Sequence, residues 1–133
     1  MTLLAPIPLP LRLTDPRGAE RLFAPLIEEA VEVIAFVYLD ADQRVLGMRQ
    51  SRSRARDTHD AAIRDVAIDA LGFDAAGVVM AHNHPSGDPT PSAADRDATR
   101  RIASALAPLG VRLLDHLVMA RGGVTSFRAL GWL

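Results

Sequence analysis

Nine consecutive residues, Val31 to Leu39, constrain the fold more than any other stretch of this chain. Their density of β-branched and aromatic side chains reads as a β-strand. A strand of that register sends Glu32, Ile34, Phe36 and Tyr38 to one face and Val31, Val33, Ala35, Val37 and Leu39 to the other. Apart from Glu32 both faces are apolar. Such a strand must be central in its sheet and covered on two sides.

The rest of the sequence supplies the covering layers. Asp15-Pro16 reads as an N-cap followed by a first-turn proline, opening a short helix toward Glu29 that Pro25 bends or ends. Asp40 to Gln43 turn into a second strand, about Arg44 to Met48, and the Arg-rich run Arg49 to Arg56 then reads as an exposed loop. A helix is expected from about Asp57 to Leu71, with Ile63, Val66, Ala67, Ala70 and Leu71 at helical spacing. Gly77 to His82 forms a short buried strand. Ser92 opens a helix that carries Ile102, Leu106 and Leu109 inward and stops at Gly110. Val111 to Met119 and Val124 to Phe127 make two more strands, joined by a Gly122-Gly123 turn. Alternating strands and helices give an α/β class, a mixed sheet packed between helices. Residues 1–30 form a lead-in and short helix, and residues 31–133 form the domain proper.

Composition removes several functions. The chain has 133 residues, enough for one self-sufficient core, and 49% hydrophobic against 23% charged residues is ordinary for a globular protein. With no cysteine, thiolate catalysis, disulfides and Cys-ligated zinc are excluded. All fifteen basic residues are arginine, so no lysine is present for Schiff-base chemistry. A net charge of −1 gives no global attraction to nucleic acid or an anionic membrane. The opening MTLLAPIPLPLRL lacks an early basic region and is interrupted by three prolines, so it is expected to be an extended lead-in rather than a signal peptide. No stretch approaches the roughly 18 apolar residues of a membrane span, and a cytoplasmic location is expected.

The chemistry concentrates between His82 and Asp95. His82 and His84 lie two residues apart at a strand end, so both imidazoles point the same way. A loop stiffened by Pro85, Pro89 and Pro91 follows, and Ser92-Ala93-Ala94-Asp95 then opens a helix. Two neutral imidazoles and one carboxylate make a three-ligand site for a borderline divalent metal. A fourth position left to water is the arrangement of a hydrolytic zinc centre. The plainer reading is a pair of turn histidines beside a capping box, and Asp95 is able to cap and to ligate at once. The order of these residues differs from that of the non-haem iron oxygenases, and the cysteine pair of zinc deaminases is missing.

H-x-H, seven residues, S-x-x-D is the JAMM metallopeptidase motif, and HNHPSGDPTPSAAD resembles its RadC branch. Leu114-Asp115-His116-Leu117-Val118 is similar to a segment of the same family, and the resemblance runs from about Glu32 to Arg128. It implies a single JAMM/MPN-like domain with a cytidine-deaminase-like three-layer architecture. It also implies Zn2+ held by His82, His84 and Asp95, with Ser92 lending its hydroxyl to the oxyanion. The family needs an upstream glutamate as general base. Glu32, inside the apolar strand, fits better than Glu28 or Glu29 on the preceding helix end, and burial there would raise its pKa. The implied activity is hydrolysis of a peptide or isopeptide amide, with a peptide or isopeptide-linked protein as partner. The alternative is a DNA-repair-associated or nucleic-acid-binding module, in which Arg49, Arg52, Arg54 and Arg56 touch phosphates. His116 is either a partner of a ligand or a core histidine, and His59 is expected to be a surface residue. This chain departs from the family in three places. The residues before Glu32 are too few for the usual helix-hairpin-helix region, a Gly-Thr segment after the second strand is replaced by the Arg-rich run, and Ile63 precedes Arg64-Asp65 where a proline is usual.

Overall fold

A computed structural model describes residues 2–5, 12–13, 16–52 and 59–133. In chain order the elements are β1 (Thr2–Ala5), α1 (Pro16–Phe23), a 3-10 turn (Ala24–Glu28), β2 (Val33–Leu39), β3 (Val45–Arg52) and α2 (His59–Gly72). There follow β4 (Gly77–Asn83), α3 (Ala93–Leu106), a second 3-10 turn (Ala107–Leu109), β5 (Arg112–Ala120) and β6 (Gly123–Ser126). One six-stranded sheet has the order β1-β3-β2-β4-β5-β6. β4 and β5 run parallel and the other neighbours antiparallel.

The sheet is sandwiched as the Val31–Leu39 run requires. On one face Val33, Ala35, Val37 and Leu39 of β2 pack with Ala19, Phe23 and Leu26 from the α1 side. On the other, Phe36 and Tyr38 pack with Val66 and Ala70 of α2 and with Ile102 and Leu106 of α3. β2 is central, paired to β3 on one side and β4 on the other. The α1 segment breaks into its 3-10 turn at Ala24-Pro25, as the ring of Pro25 demands. No helix among the described residues is long and apolar enough to cross a membrane.

Three expectations change. β2 starts at Val33, so Val31 and Glu32 lie ahead of the strand. β3 extends to Arg52, so Arg49 to Arg52 are strand rather than loop. It is hydrogen-bonded on both sides, by β1 and β2, which satisfies its backbone whatever the side-chain polarity. Arg49 is taken up by a bidentate pair with Asp69, its Nη2 donating to Oδ1 at 2.7 Å, and Tyr38 donates its hydroxyl to the same carboxylate at 2.8 Å. Leu109 is 37% exposed because the last turn tightens to 3-10 and rotates it off the buried face. Asp15, Arg54 and Arg56 lie outside the described residues.

Candidate metal centre

β4 delivers the site. His82 is its penultimate residue and His84 follows it. The His84 N–H continues the ladder by donating to the Met119 carbonyl at 3.0 Å. The loop beyond is tied down along its length. The Gly87 N–H donates to the His84 carbonyl at 3.0 Å, and Gly87 takes φ +89°, where glycine costs nothing. Gly122, in the β5–β6 turn, donates its N–H to the Gly87 carbonyl at 2.9 Å, and a Cβ there would sit 2.6 Å from that oxygen. Thr125 of β6 donates its hydroxyl to the Pro89 carbonyl at 2.7 Å.

Ser92 and Asp95 form the expected capping box at the start of α3. The Asp95 N–H donates to Ser92 Oγ at 3.0 Å, and the Ser92 N–H donates to Asp95 Oδ2 at 2.8 Å. The box turns the carboxylate toward the histidines. His84 Nε2 lies 3.1 Å from Asp95 Oδ2, His82 Nε2 lies 3.3 Å from Oδ1, and the two Nε2 atoms are 2.9 Å apart. Ligands about 2.05 Å from a tetrahedral zinc are about 3.3 Å from one another, so these separations match the donor spacing of such a site.

The outer nitrogens decide what the inner ones are able to do. His84 Nδ1 is 2.9 Å from the Asp88 carbonyl, which only accepts, so Nδ1 carries a proton and, in the neutral ring, Nε2 presents a lone pair. The tautomer of His82 is fixed through two further residues. Thr99 Oγ1 is 2.6 Å from the Asp95 carbonyl, so the hydroxyl must donate there. Its oxygen then accepts from His116 Nδ1 at 2.6 Å. His116 is buried, which pushes its imidazole well below the usual value, and nearby His82 adds to the shift, so it is neutral. With Nδ1 protonated, its Nε2 accepts from His82 Nδ1 at 2.7 Å. In the neutral ring His82 Nε2 is then also a lone pair. With both rings neutral, two nitrogen lone pairs and a carboxylate converge, and a proton or a metal cation satisfies such a cluster. Burial opposes ionisation of Asp95, but the hydrogen bond and charge that a proton on His82 supplies, together with the two Ser92 bonds, outweigh it and hold the carboxyl well below the usual range; a metal cation would take that proton's place. The donor set fits a divalent metal.

Glu32 reaches the rim of this cluster, with Oε1 3.9 Å from His82 Nε2. Its side chain is 44% exposed, because it precedes the strand instead of sitting inside it. The apolar setting expected for its carboxyl is absent. Glu28 and Glu29 are turned elsewhere, facing Arg121 at 3.5 Å and Arg52 at 3.3 Å. Of the arginines expected to touch phosphates, Arg49 and Arg52 thus have carboxylate partners within the fold. His116, stacked on Phe127 with ring centroids 4.6 Å apart, is the partner of a candidate ligand. Asp115 faces the other way and accepts from Ser126 Oγ at 2.7 Å and from the Arg128 N–H at 3.0 Å, fastening β6 and the turn after it.

Two residues of the constellation escape the sequence motif. Thr99 carried a weak signal, one helical turn after Asp95 and on the same side of α3. Asn83 carried a stronger one, a polar residue that joins His82 in an otherwise apolar strand, and such a residue must find partners. It is 1% exposed and bonds to the segment that bears Glu32.

The model of the RadC-like JAB domain family matches residues 13–132. Similar curated proteins include a UPF0758 protein of Xanthomonas axonopodis pv. citri, 39% identical over 122 residues that cover 91% of this chain and 54% of the relative. A UPF0758 protein of Vibrio cholerae is 41% identical over 102 residues, covering 77% of this chain and 64% of the relative. The chain thus spans about half the length of the Xanthomonas relative.

Proposed function

The chain belongs to the RadC-like JAB domain family, and from that premise we propose that it is a zinc-dependent metallopeptidase or isopeptidase. One observation carries this reading: the Nδ1 atoms of His82 and His84 are both committed elsewhere, so both Nε2 atoms are turned to the Asp95 carboxylate as the ligating nitrogens. Zinc held by His82, His84 and Asp95 would supply a Lewis acid for a carbonyl oxygen and would bring the pKa of water to about 7.

The remaining work falls to this chain's own side chains. Glu32, at the open rim beside His82, takes the proton of the attacking water and passes it to the departing amine as the C–N bond breaks. Its exposure suits a base that must meet both water and substrate. Ser92 Oγ accepts from the Asp95 N–H, and its own hydrogen, within reach of the Asp95 carboxylate, turns to the substrate. The hydroxyl donates that hydrogen to the substrate carbonyl oxygen as charge grows there, which typically lowers a barrier by about 3 kcal/mol. Thr99 and His116 hold the His82 ring in its ligating tautomer throughout.

The test is a library of peptides and isopeptide-linked peptides incubated with zinc-loaded protein and read by mass spectrometry. Wild type should cleave a subset, cleavage should stop on chelation, and Glu32→Gln should keep its zinc while losing turnover by a factor of at least about 100. Unchanged turnover in Glu32→Gln would remove Glu32 as the base.

A further inference from the structure

Glu32 lies in no regular element. Residues 29–32 bridge the 3-10 turn and β2, and a glutamate on such a bridge should wander. Its start is held by the Glu29–Arg52 pair and the Glu29 N–H bond to Leu26, and the peptide planes around Glu32 are held by Asn83. Asn83 Oδ1 accepts from the Val33 N–H at 2.6 Å. Asn83 Nδ2 donates to the Val31 carbonyl at 2.9 Å and to the Glu29 carbonyl at 3.2 Å. The Val31 carbonyl belongs to the peptide plane before Glu32, and the Val33 N–H to the plane after it. A single carboxamide therefore grips both planes that set the backbone of Glu32.

Only asparagine fits this task among side chains of its size. The grip needs an acceptor and a two-proton donor at opposite ends of one short planar group. Aspartate would set an oxygen against two carbonyls, and serine is too short to span both planes. Asn83, the last residue of β4, sits between the two candidate ligands, so its side chain alternates to the opposite face from theirs. The pairing of β2 with β4 runs from Leu39 to Ile34, opposite His82, and the Asn83 side chain takes over where the backbone ladder ends. His82 and Glu32 are thereby registered to one another through adjacent residues of one strand.

We infer that Asn83 is the positioning residue for Glu32, fixing the distance of the base from the His82–His84–Asp95 cluster without touching the reacting atoms. This rests on the reading of Glu32 as the base. It separates two jobs within three residues: the histidines hold the cation and the asparagine holds the carboxylate that works beside it.

The probe is cobalt(II), which fits the same donors and has visible bands sensitive to groups near the metal. Cobalt spectra and stoichiometry should be recorded for wild type, Glu32→Gln, Asn83→Ala and the double variant. Amide hydrogen exchange should be followed by NMR in wild type and Asn83→Ala. Asn83→Ala should still bind one cobalt per chain, reproduce the band shift of Glu32→Gln, and add nothing to it in the double variant. Its Val33 amide should exchange about tenfold faster relative to Val37. A shift in Glu32→Gln that Asn83→Ala fails to reproduce would overturn the inference and leave Glu32 in place. No shift in Glu32→Gln would remove the base assignment, and the inference with it. Loss of cobalt binding in Asn83→Ala would also overturn the inference, since Asn83 would then act on the ligands. Should Asn83→Ala not fold, wild type alone decides through Val33. Its amide must be as protected as those of the central strand, and exchange at the rate of an open segment contradicts the grip.

Discussion

His116→Phe separates two roles that a buried histidine is able to play. Phenylalanine keeps a flat ring against Phe127, where the imidazole stacks at 4.6 Å, but it deletes both nitrogens. His82 Nδ1 loses its acceptor at 2.7 Å, and Thr99 Oγ1 loses the donor at 2.6 Å while keeping its own bond to the Asp95 carbonyl. One buried N–H is left unsatisfied, which costs about 1–3 kcal/mol of fold stability. If that were all, zinc affinity would not move. His116 also dictates which His82 nitrogen carries a proton. Free rotation and tautomer exchange of His82 should then weaken zinc binding about 10- to 100-fold, the usual effect of removing the partner of a ligating histidine. That range corresponds to about 1.4–2.8 kcal/mol. The assay pairs a zinc titration against a competing chelator with urea melts of the metal-free protein. Zinc affinity within twofold of wild type, alongside lowered metal-free stability, would refute control of the tautomer and leave His116 as a core residue.

Other expected outcomes follow from the same geometry. Ser92→Gly keeps most of the cap, because glycine at an N-cap costs only a few tenths of a kcal/mol. It should therefore melt within about 2 °C of wild type, yet lose about 100-fold in turnover if the hydroxyl meets the carbonyl oxygen. In Gly122→Ala the new methyl collides with the Gly87 carbonyl. The loop must shift, with about 1–3 kcal/mol lost in thermal melts and weaker zinc binding by chelator competition. His116 is neutral in the fold because its pKa is depressed. As pH falls below 6.5 the unfolded chain takes up a proton that the folded one refuses. Metal-free stability should therefore drop by up to about 1.4 kcal/mol per pH unit from this group, and urea melts of His116→Phe should show a shallower slope.

Much of the architecture was legible because it rests on local patterns. The two apolar faces of β2 specify burial on both sides, and Pro25, Ser92 and Gly110 mark helix ends by steric and capping rules. The cluster itself was legible because a period of two on β4 and a capping box on α3 each orient a side chain predictably. Long-range pairing was not legible. The partner of Arg49 is Asp69, twenty residues on, so an arginine run that reads as a solvated loop is partly strand. Likewise the start of β2 at Val33 is set by a side chain fifty residues away. No window around Glu32 reveals that it stands outside the strand. Thr99 and His116 become partners only when α3 packs across β5.

The central claim is that two lone pairs and a carboxylate converge on a cation. Metal analysis of the purified protein, after dialysis against trace zinc, tests it most directly. One zinc per chain is the expected result, with none in His84→Ala or Asp95→Asn while the fold stays intact by circular dichroism. No bound metal in wild type, or stoichiometric zinc retained by both variants, would contradict it.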